Sequence, residues 1–295
     1  MSGDDKIIKI LFFGDMVGKP GRNAVRDFLN DEFIKDKTAR EPNYPGIEPF
    51  NFHIEPHTHF VIANVENASH GFGLTEKNYN ELSSFGIDCM TSGNHIWDKR
   101  DILNYIDQAD KLIRPMNYPN GVQGAGSRVF EFGEYKIAVI NLLGRVFMNL
   151  VDDPFALVEK EIKRLKEITP IVVVDFHAEA TAEKICLGRF CAELGASAFF
   201  GTHTHVQTAD ERILNGMGYI TDAGFCGTVD SVIGMEYKTS LSRFLTGIPE
   251  RYEVAEGGEC QINAVEVEIS PSSGKALAIR RIFCSRDKTE EDESQ

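Results

Sequence analysis

The sequence predicts an α/β fold in which helices cover a sheet, and three observations carry that prediction. Short apolar runs recur along the chain, segments with helical spacing lie between them, and each apolar run ends in a polar or glycine-rich turn. With 42% hydrophobic residues in 295, the chain has ample material for a core, which excludes disorder as its main state.

Taken in order, residues 7–14 (IIKILFFG) read as the first buried strand and 22–33 (RNAVRDFLNDEF) as a helix. Residues 35–57 hold four prolines and little periodicity, the pattern of a surface insertion. Its His53 and His57, with His59 beside them, are expected to be solvated rather than to form an accessory metal site. Strands follow at 59–65 (HFVIANV) and 88–93 (DCMTSG). Between them runs a helix over 74–86, with Thr75 as its N-cap and Gly86 as its C-cap. Residues 135–144 (YKIAVINLLG), 170–176 (PIVVVDF) and 197–202 (SAFFGT) read as further strands, with a helix at 155–167. From about residue 210 short runs alternate with turns, and the chain ends in a hairpin, 261–269 and 275–283 around SPSSG. With no fixed repeat and no Ser/Gly linker, residues 1–286 are expected to form one domain, followed by an acidic, disordered tail at 287–295.

Composition excludes several functions. Runs such as IVVV and FVIA are far short of the roughly 18 apolar residues of a membrane span, and an acidic N-terminus broken by Lys9 does not read as a signal peptide, so a cytoplasmic protein is expected. Six cysteines without a CxxC pair argue against a disulfide framework. With 31 Lys and Arg against 45 Asp and Glu, the charge of −14 disfavours an extended nucleic-acid surface. Assembly into a homo-oligomer is compatible with all of this.

The chemistry lies where polar side chains follow strands. Asp15 follows ILFFG, Glu66 and Asn67 follow FVIANV, Asn94 and His95 follow CMTSG, His177 ends VVVDFH, and His203 follows AFFGT. Five strands thus deliver such groups to their C-terminal ends, the edge where open α/β sheets bind ligands. The donors Asp15, Glu66, Asn67, Asn94, His177, His203 and His205 mix imidazole with oxygen and contain no thiolate, which suits iron, manganese, zinc or cobalt. They exceed what one tetrahedral ion uses and match two ions sharing a carboxylate. His203 and His205 would diverge in a strand but can converge in a turn. The loop GDMVGKPG fails both the phosphate-loop and the GxGxxG spacings. Next to Asn94, His95 is the natural general acid for a leaving oxygen, with Asp98 to orient it. His70, Glu179, Thr181, Asp210 and Asp222 read as supporting or capping groups, and Cys226 as packing.

The order Asp, Glu-Asn, Gly-Asn-His, strand-end His and Gly-Thr-His-Thr-His resembles the calcineurin-like metallophosphoesterases. More narrowly, FFGDMVGKPGR, NVENASHGFGLT, SGNHIWD, RPMNYP, VDFHAEATAEK, GTHTHVQTAD and TDAGFCG resemble the YmdB-like bacterial subfamily. Asp15-Met-Val in place of Asp-x-His, and Glu66-Asn67 in place of Gly-Asp, depart from the wider group and agree with the narrower one. The insertion at 35–57 is longer than that subfamily implies. The resemblance implies a four-layer αββα sandwich, two metal ions (iron first, manganese next) and hydrolysis of 2′,3′-cyclic nucleotides or related small phosphodiesters. It assigns Asp15, Asn67 and His205 to one ion, Asn94, His177 and His203 to the other, and Glu66 to the bridge. Such an ion pair activates a bridging water and neutralises the phosphoryl oxygens. A phosphomonoesterase using the same ligands, and a nucleotide- or RNA-sensing protein without turnover, are the alternatives.

Overall fold

Alternation within each apolar run decides which layer each side chain enters. The computed structural model describes residues 6–30 and 58–286. The expected insertion at 35–57, with His53 and His57, and the expected tail at 287–295 lie outside the described residues. In chain order the elements are β1 (Ile8–Phe13), β2 (Asp15–Met16), α1 (Gly18–Leu29), β3 (His59–Asn64), α2 (Glu76–Ser84), β4 (Cys89–Thr91), α3 (Ile102–Tyr105), β5 (Ser127–Phe132), β6 (Tyr135–Leu143) and α4 (Pro154–Lys166). They continue as β7 (Ile171–His177), α5 (Thr181–Glu193), β8 (Ala198–Thr202), β9 (Arg212–Leu214), β10 (Met217–Ile220), β11 (Phe225–Thr228), α6 (Tyr237–Thr246), β12 (Cys260–Ile269) and β13 (Ala276–Arg286).

The strands form two sheets. One runs β2-β11-β12-β1-β3-β4 with β13 paired to β12, and the other runs β5-β6-β7-β8-β10-β9. Strands β1, β3 and β4 are parallel, as are β6, β7, β8 and β10. The expected terminal hairpin is β12 and β13, antiparallel from Cys260 opposite Arg286.

Period-two alternation sends Ile8, Ile10, Phe12, Phe60 and Ile62 of the first sheet against Ile137, Val139, Ile171, Val173 and Phe200 of the second. At the centre the rings of Phe12 and Phe200 stack at 4.3 Å. The opposite faces carry Leu11, Phe13, Val61 and Ala63 against Val25, Phe28 and Leu82 of α1 and α2. In the second sheet Ala138, Ile140, Val172 and Val174 meet Val158, Ile162 and Leu187 of α4 and α5. Helices, sheet, sheet and helices therefore make the four layers. Each large side chain buried this way contributes about 1.5–3 kcal/mol.

Capping follows the sequence. The Thr75 side chain accepts from the amide of Asn78 at the start of α2; at its end Phe85 is the C-cap, and the expected Gly86, at φ +91°, comes one residue later. Asp153 caps α4 through the amide of Phe155, and Pro154 opens its first turn. The elements β2, α3, β5 and α5 have no counterpart among the expected ones, and two further features differ. His59 is not solvated: it opens β3, buried, with Nε2 at 3.0 Å from Glu266 Oε2. The late region also contains a helix, α6, which the sequence does not announce because Ser240 is its one buried residue.

Candidate metal centre

The parallel strands of both sheets end at one edge, so the residues after them meet over one crevice. Glu66 and Asn67 follow β3, Asn94 and His95 follow β4, His177 ends β7, and His203 follows β8. Asp15 lies beyond Gly14, where a Cβ would stand 2.1 Å from the carbonyl oxygen of Gly224. His203 and His205 have left the strand, with φ +106° and +63°, and this uncommon backbone lets both rings face inward. Gly93, like Gly14, is required by close approach, since a Cβ there would lie 2.2 Å from Glu66 Oε2 and 2.5 Å from His177 Nε2.

His177 Nε2 is 2.9 Å from Glu66 Oε1, 3.0 Å from His203 Nδ1 and 3.2 Å from Asn94 Oδ1. Among the described residues two groups bring one ligand atom per residue within 4.8 Å of each other: Glu66 with His177 and His203, and Asp15 with Glu66 and His205. Glu66 belongs to both. Asp15 Oδ2 accepts from the amide of His203 at 3.0 Å, while its buried Oδ1 has no hydrogen-bond partner among the described residues. The buried Oδ1 of Asn67 has none either, although its Nδ2 donates to the Gly71 carbonyl at 2.8 Å. Buried oxygens without donors are what a cation would satisfy, so the donor set fits the expected ions.

The electrostatics agree. Burial would raise the Glu66 carboxyl, but the charge and hydrogen bond of His177 outweigh it and hold the group at about 2. Burial would lower His177, but Glu66 and Asp15 push it up to about 9. Burial raises Asp15 despite His205 and His177, and burial together with His177 lowers His203 to about 3. The cluster thus holds a proton on His177 where its carboxylates call for positive charge, and an ion binding there would displace it.

Surrounding groups fix the rings. Thr202 Oγ1 donates its one proton to Asp175 Oδ1 at 2.8 Å, so at 2.9 Å it accepts from His177 Nδ1 and leaves Nε2 to face the cluster. The carboxyl of Asp175, wholly buried, is pushed up to about 7. His205 Nδ1 donates to the Ile233 carbonyl at 2.8 Å, and His203 Nε2 lies 3.1 Å from Glu179 Oε2. The His-Thr-His turn is anchored by Asp222, which accepts from Thr204 and from Lys184 Nζ at 2.6 Å, both ends of the ion pair being buried. No motif in the sequence marks Asp175, Thr202, Lys184 or Ile233 as part of the site. The first two adjoin candidate ligands, but nothing local marks Lys184 as buried. Of the remaining groups, Asp210 accepts from Thr208 and Thr221, and Cys226 packs with its thiol pushed up to about 12 by burial. His70 lines a wider neighbouring cavity.

His95 stands at the mouth rather than in the cluster. Its Nδ1 is 2.8 Å from Asp98 Oδ2, its amide donates to Glu66 Oε2 at 3.2 Å, and Phe72 meets its ring edge-on at 4.8 Å. Glu66, Asn67, His203 and His205 line the floor of a cavity of about 210 Å³, which His95 also lines.

Comparison with known proteins gives concordant results. A family model described as YmdB-like protein matches residues 51–282. The chain is 43% identical over 281 residues to the 2′,3′-cyclic-nucleotide 2′-phosphodiesterase of Bacillus subtilis strain 168, covering 95% of this chain and 98% of that one. Among solved structures, a hypothetical protein from Thermus thermophilus superposes with a TM-score of 0.80 at 34% identity, over 96% of this chain and 100% of that one. A structure described as a novel phosphatase from Mycoplasma pneumoniae does so with a TM-score of 0.80 at 33% identity, over 98% and 97%.

Proposed function

The chain belongs to the family of YmdB-like proteins, and from that premise we propose that it is a di-metal phosphodiesterase hydrolysing 2′,3′-cyclic nucleotides or related small phosphodiesters. The observation that carries this reading is the pair of donor groups sharing Glu66 at the floor of the cavity. Asp15, Asn67 and His205 would hold one ion, Asn94, His177 and His203 the other, with Glu66 between them. The imidazole and oxygen donors suit iron or manganese, and zinc next. When bound, such a pair supplies the charge that activates a water and neutralises the phosphoryl oxygens in an in-line displacement.

The remaining work falls to side chains of this protein. Asp98 accepts a hydrogen bond from Nδ1–H of His95 and so fixes the ring, leaving Nε2–H to give its proton to the departing ribose oxygen. Thr202 and the Ile233 carbonyl hold the rings of His177 and His205 with Nε2 forward. Phe72 against His95 limits water on that side. All six cysteines are free, which suits a reducing cytoplasm, and among the described residues no helix is long and apolar enough to cross a membrane.

A cyclic diester carries less negative charge than a monoester, so a cluster whose oxygen donors are two carboxylates and two amides, in a chain of −14, repels it less. Steady-state kinetics on a 2′,3′-cyclic nucleotide and its 3′-monophosphate test the assignment. The expected kcat/KM is at least about tenfold higher for the diester, or about 1.4 kcal/mol. Equal or better turnover of the monoester would make the protein a phosphomonoesterase.

A further inference from the structure

Above the donor cluster the same cavity changes character, from imidazole and oxygen to an aromatic and aliphatic wall. Phe72 and Tyr252 stand with ring centroids 6.1 Å apart, and the Arg243 guanidinium lies 4.0 Å from the centre of the Tyr252 ring. Phe244 lines the cavity from α6 with 85% of its surface exposed. An exposed ring is unremarkable alone, but α6 buries no apolar side chain in the core, so core packing does not account for where this one stands. Ser240 adds an independent observation. It lines the same cavity, it is buried, and its hydroxyl has no hydrogen-bond partner among the described residues. A serine inside a helix commonly turns its hydroxyl back to the preceding turn, and this one makes no such bond. A buried polar atom without a partner, in an otherwise apolar wall, is the arrangement a ligand completes.

We propose that this wall is a slot for the nucleobase of the substrate. The base lies among Phe72, Phe244 and Tyr252 with its edge at the Ser240 hydroxyl, while the phosphate lies over Glu66 and the histidines. The inference rests on the phosphodiesterase reading for the class of ligand, and on the wall itself for the mode of binding. Every base has a π-face, so stacking accepts all four. A hydroxyl both donates and accepts, so Ser240 serves either kind of base edge. The protein therefore requires a base and discriminates little between bases.

Calorimetric titration of the metal-loaded protein with adenosine 3′-monophosphate, uridine 3′-monophosphate and glycerol phosphate tests this without turnover. The two nucleotides should bind within about tenfold of each other and at least about tenfold more tightly than glycerol phosphate. Phe244→Ala, at an exposed position that leaves the core untouched, should weaken both nucleotides by about ten- to a hundredfold, equivalent to about 1.4–2.8 kcal/mol, and so close the difference. Tyr252→Leu, checked for folding by circular dichroism, should act in the same direction. Glycerol phosphate binding as tightly as the nucleotides, or a difference that survives both substitutions, overturns the slot. Diester hydrolysis read in the same preparations separates the two claims. Absent turnover with the nucleotide preference intact supports the slot and overturns the phosphodiesterase reading, whereas turnover with no preference for a base overturns the slot alone.

Discussion

A carboxylate as buried as that of Glu66 keeps its charge only because imidazoles face it, and that dependence separates the roles of neighbouring histidines. His177 has both ring nitrogens engaged in buried contacts, Nε2 with Glu66 and Nδ1 with Thr202. His95 touches Glu66 only through its backbone amide, and its ring lies partly open at the cavity. His95→Ala should therefore retain the metals and slow turnover by about 10²–10⁴, or about 2.7–5.4 kcal/mol of barrier. His177→Ala should instead lose metal, as read by elemental analysis of the purified variants. Equal metal loss in both would make His95 a ligand. The sequence makes the ligand candidates legible because each follows an apolar run, and strand ends converge in this class of fold. The supports are less legible: Thr202 and Asp175 act through side chains whose partners lie far along the chain, and the carbonyl of Ile233 leaves no trace in residue type.

At the scale of elements, the strands of the first sheet are tied by polar side-chain contacts as well as by their ladders. Glu266 on β12 meets His59 across the intervening β1 and meets Arg280 on β13, with 2% of its side chain exposed. Burial alone would raise its carboxyl, but the His59 hydrogen bond and the Arg280 charge outweigh it and hold the group below the usual carboxylate range. A depressed folded value stabilises the protein above the unfolded pKa of about 4.3, and this contribution is lost as pH falls through the folded value. Glu266→Gln should therefore cost about 1–3 kcal/mol at pH 7 and progressively less below about pH 4. Urea midpoints of both proteins across that range check it, and a difference independent of pH would contradict it. The strands were readable because β-branched and aromatic runs end abruptly in glycine or polar turns. Helix α5 leaves no clear periodic signal, since its apolar residues form no single stripe, yet it carries Lys184 to Asp222 beneath the His-Thr-His turn. Helix α6 escaped for a related reason: its apolar residues Leu241, Phe244 and Leu245 face solvent and the cavity rather than the core.

For the molecule as a whole, two sheets packed face to face bring donors from the two halves of the chain to one edge, so the site forms only when both sheets have formed. Asp15, Glu66, Asn67 and Asn94 follow strands of the first sheet, and His177, His203 and His205 follow strands of the second. Among the described residues no Lys or Arg lines the cavity over the donors, and ions are the positive charge that this arrangement calls for. The proposed function requires that these donors hold two ions for the hydrolysis of a cyclic diester. Its most direct test is titration of metal-depleted protein with iron(II) or manganese(II) while hydrolysis of a 2′,3′-cyclic nucleotide is followed. Activity should rise from none and break at about two equivalents per chain, whereas a break at one equivalent, or turnover that persists in chelator, would contradict the account.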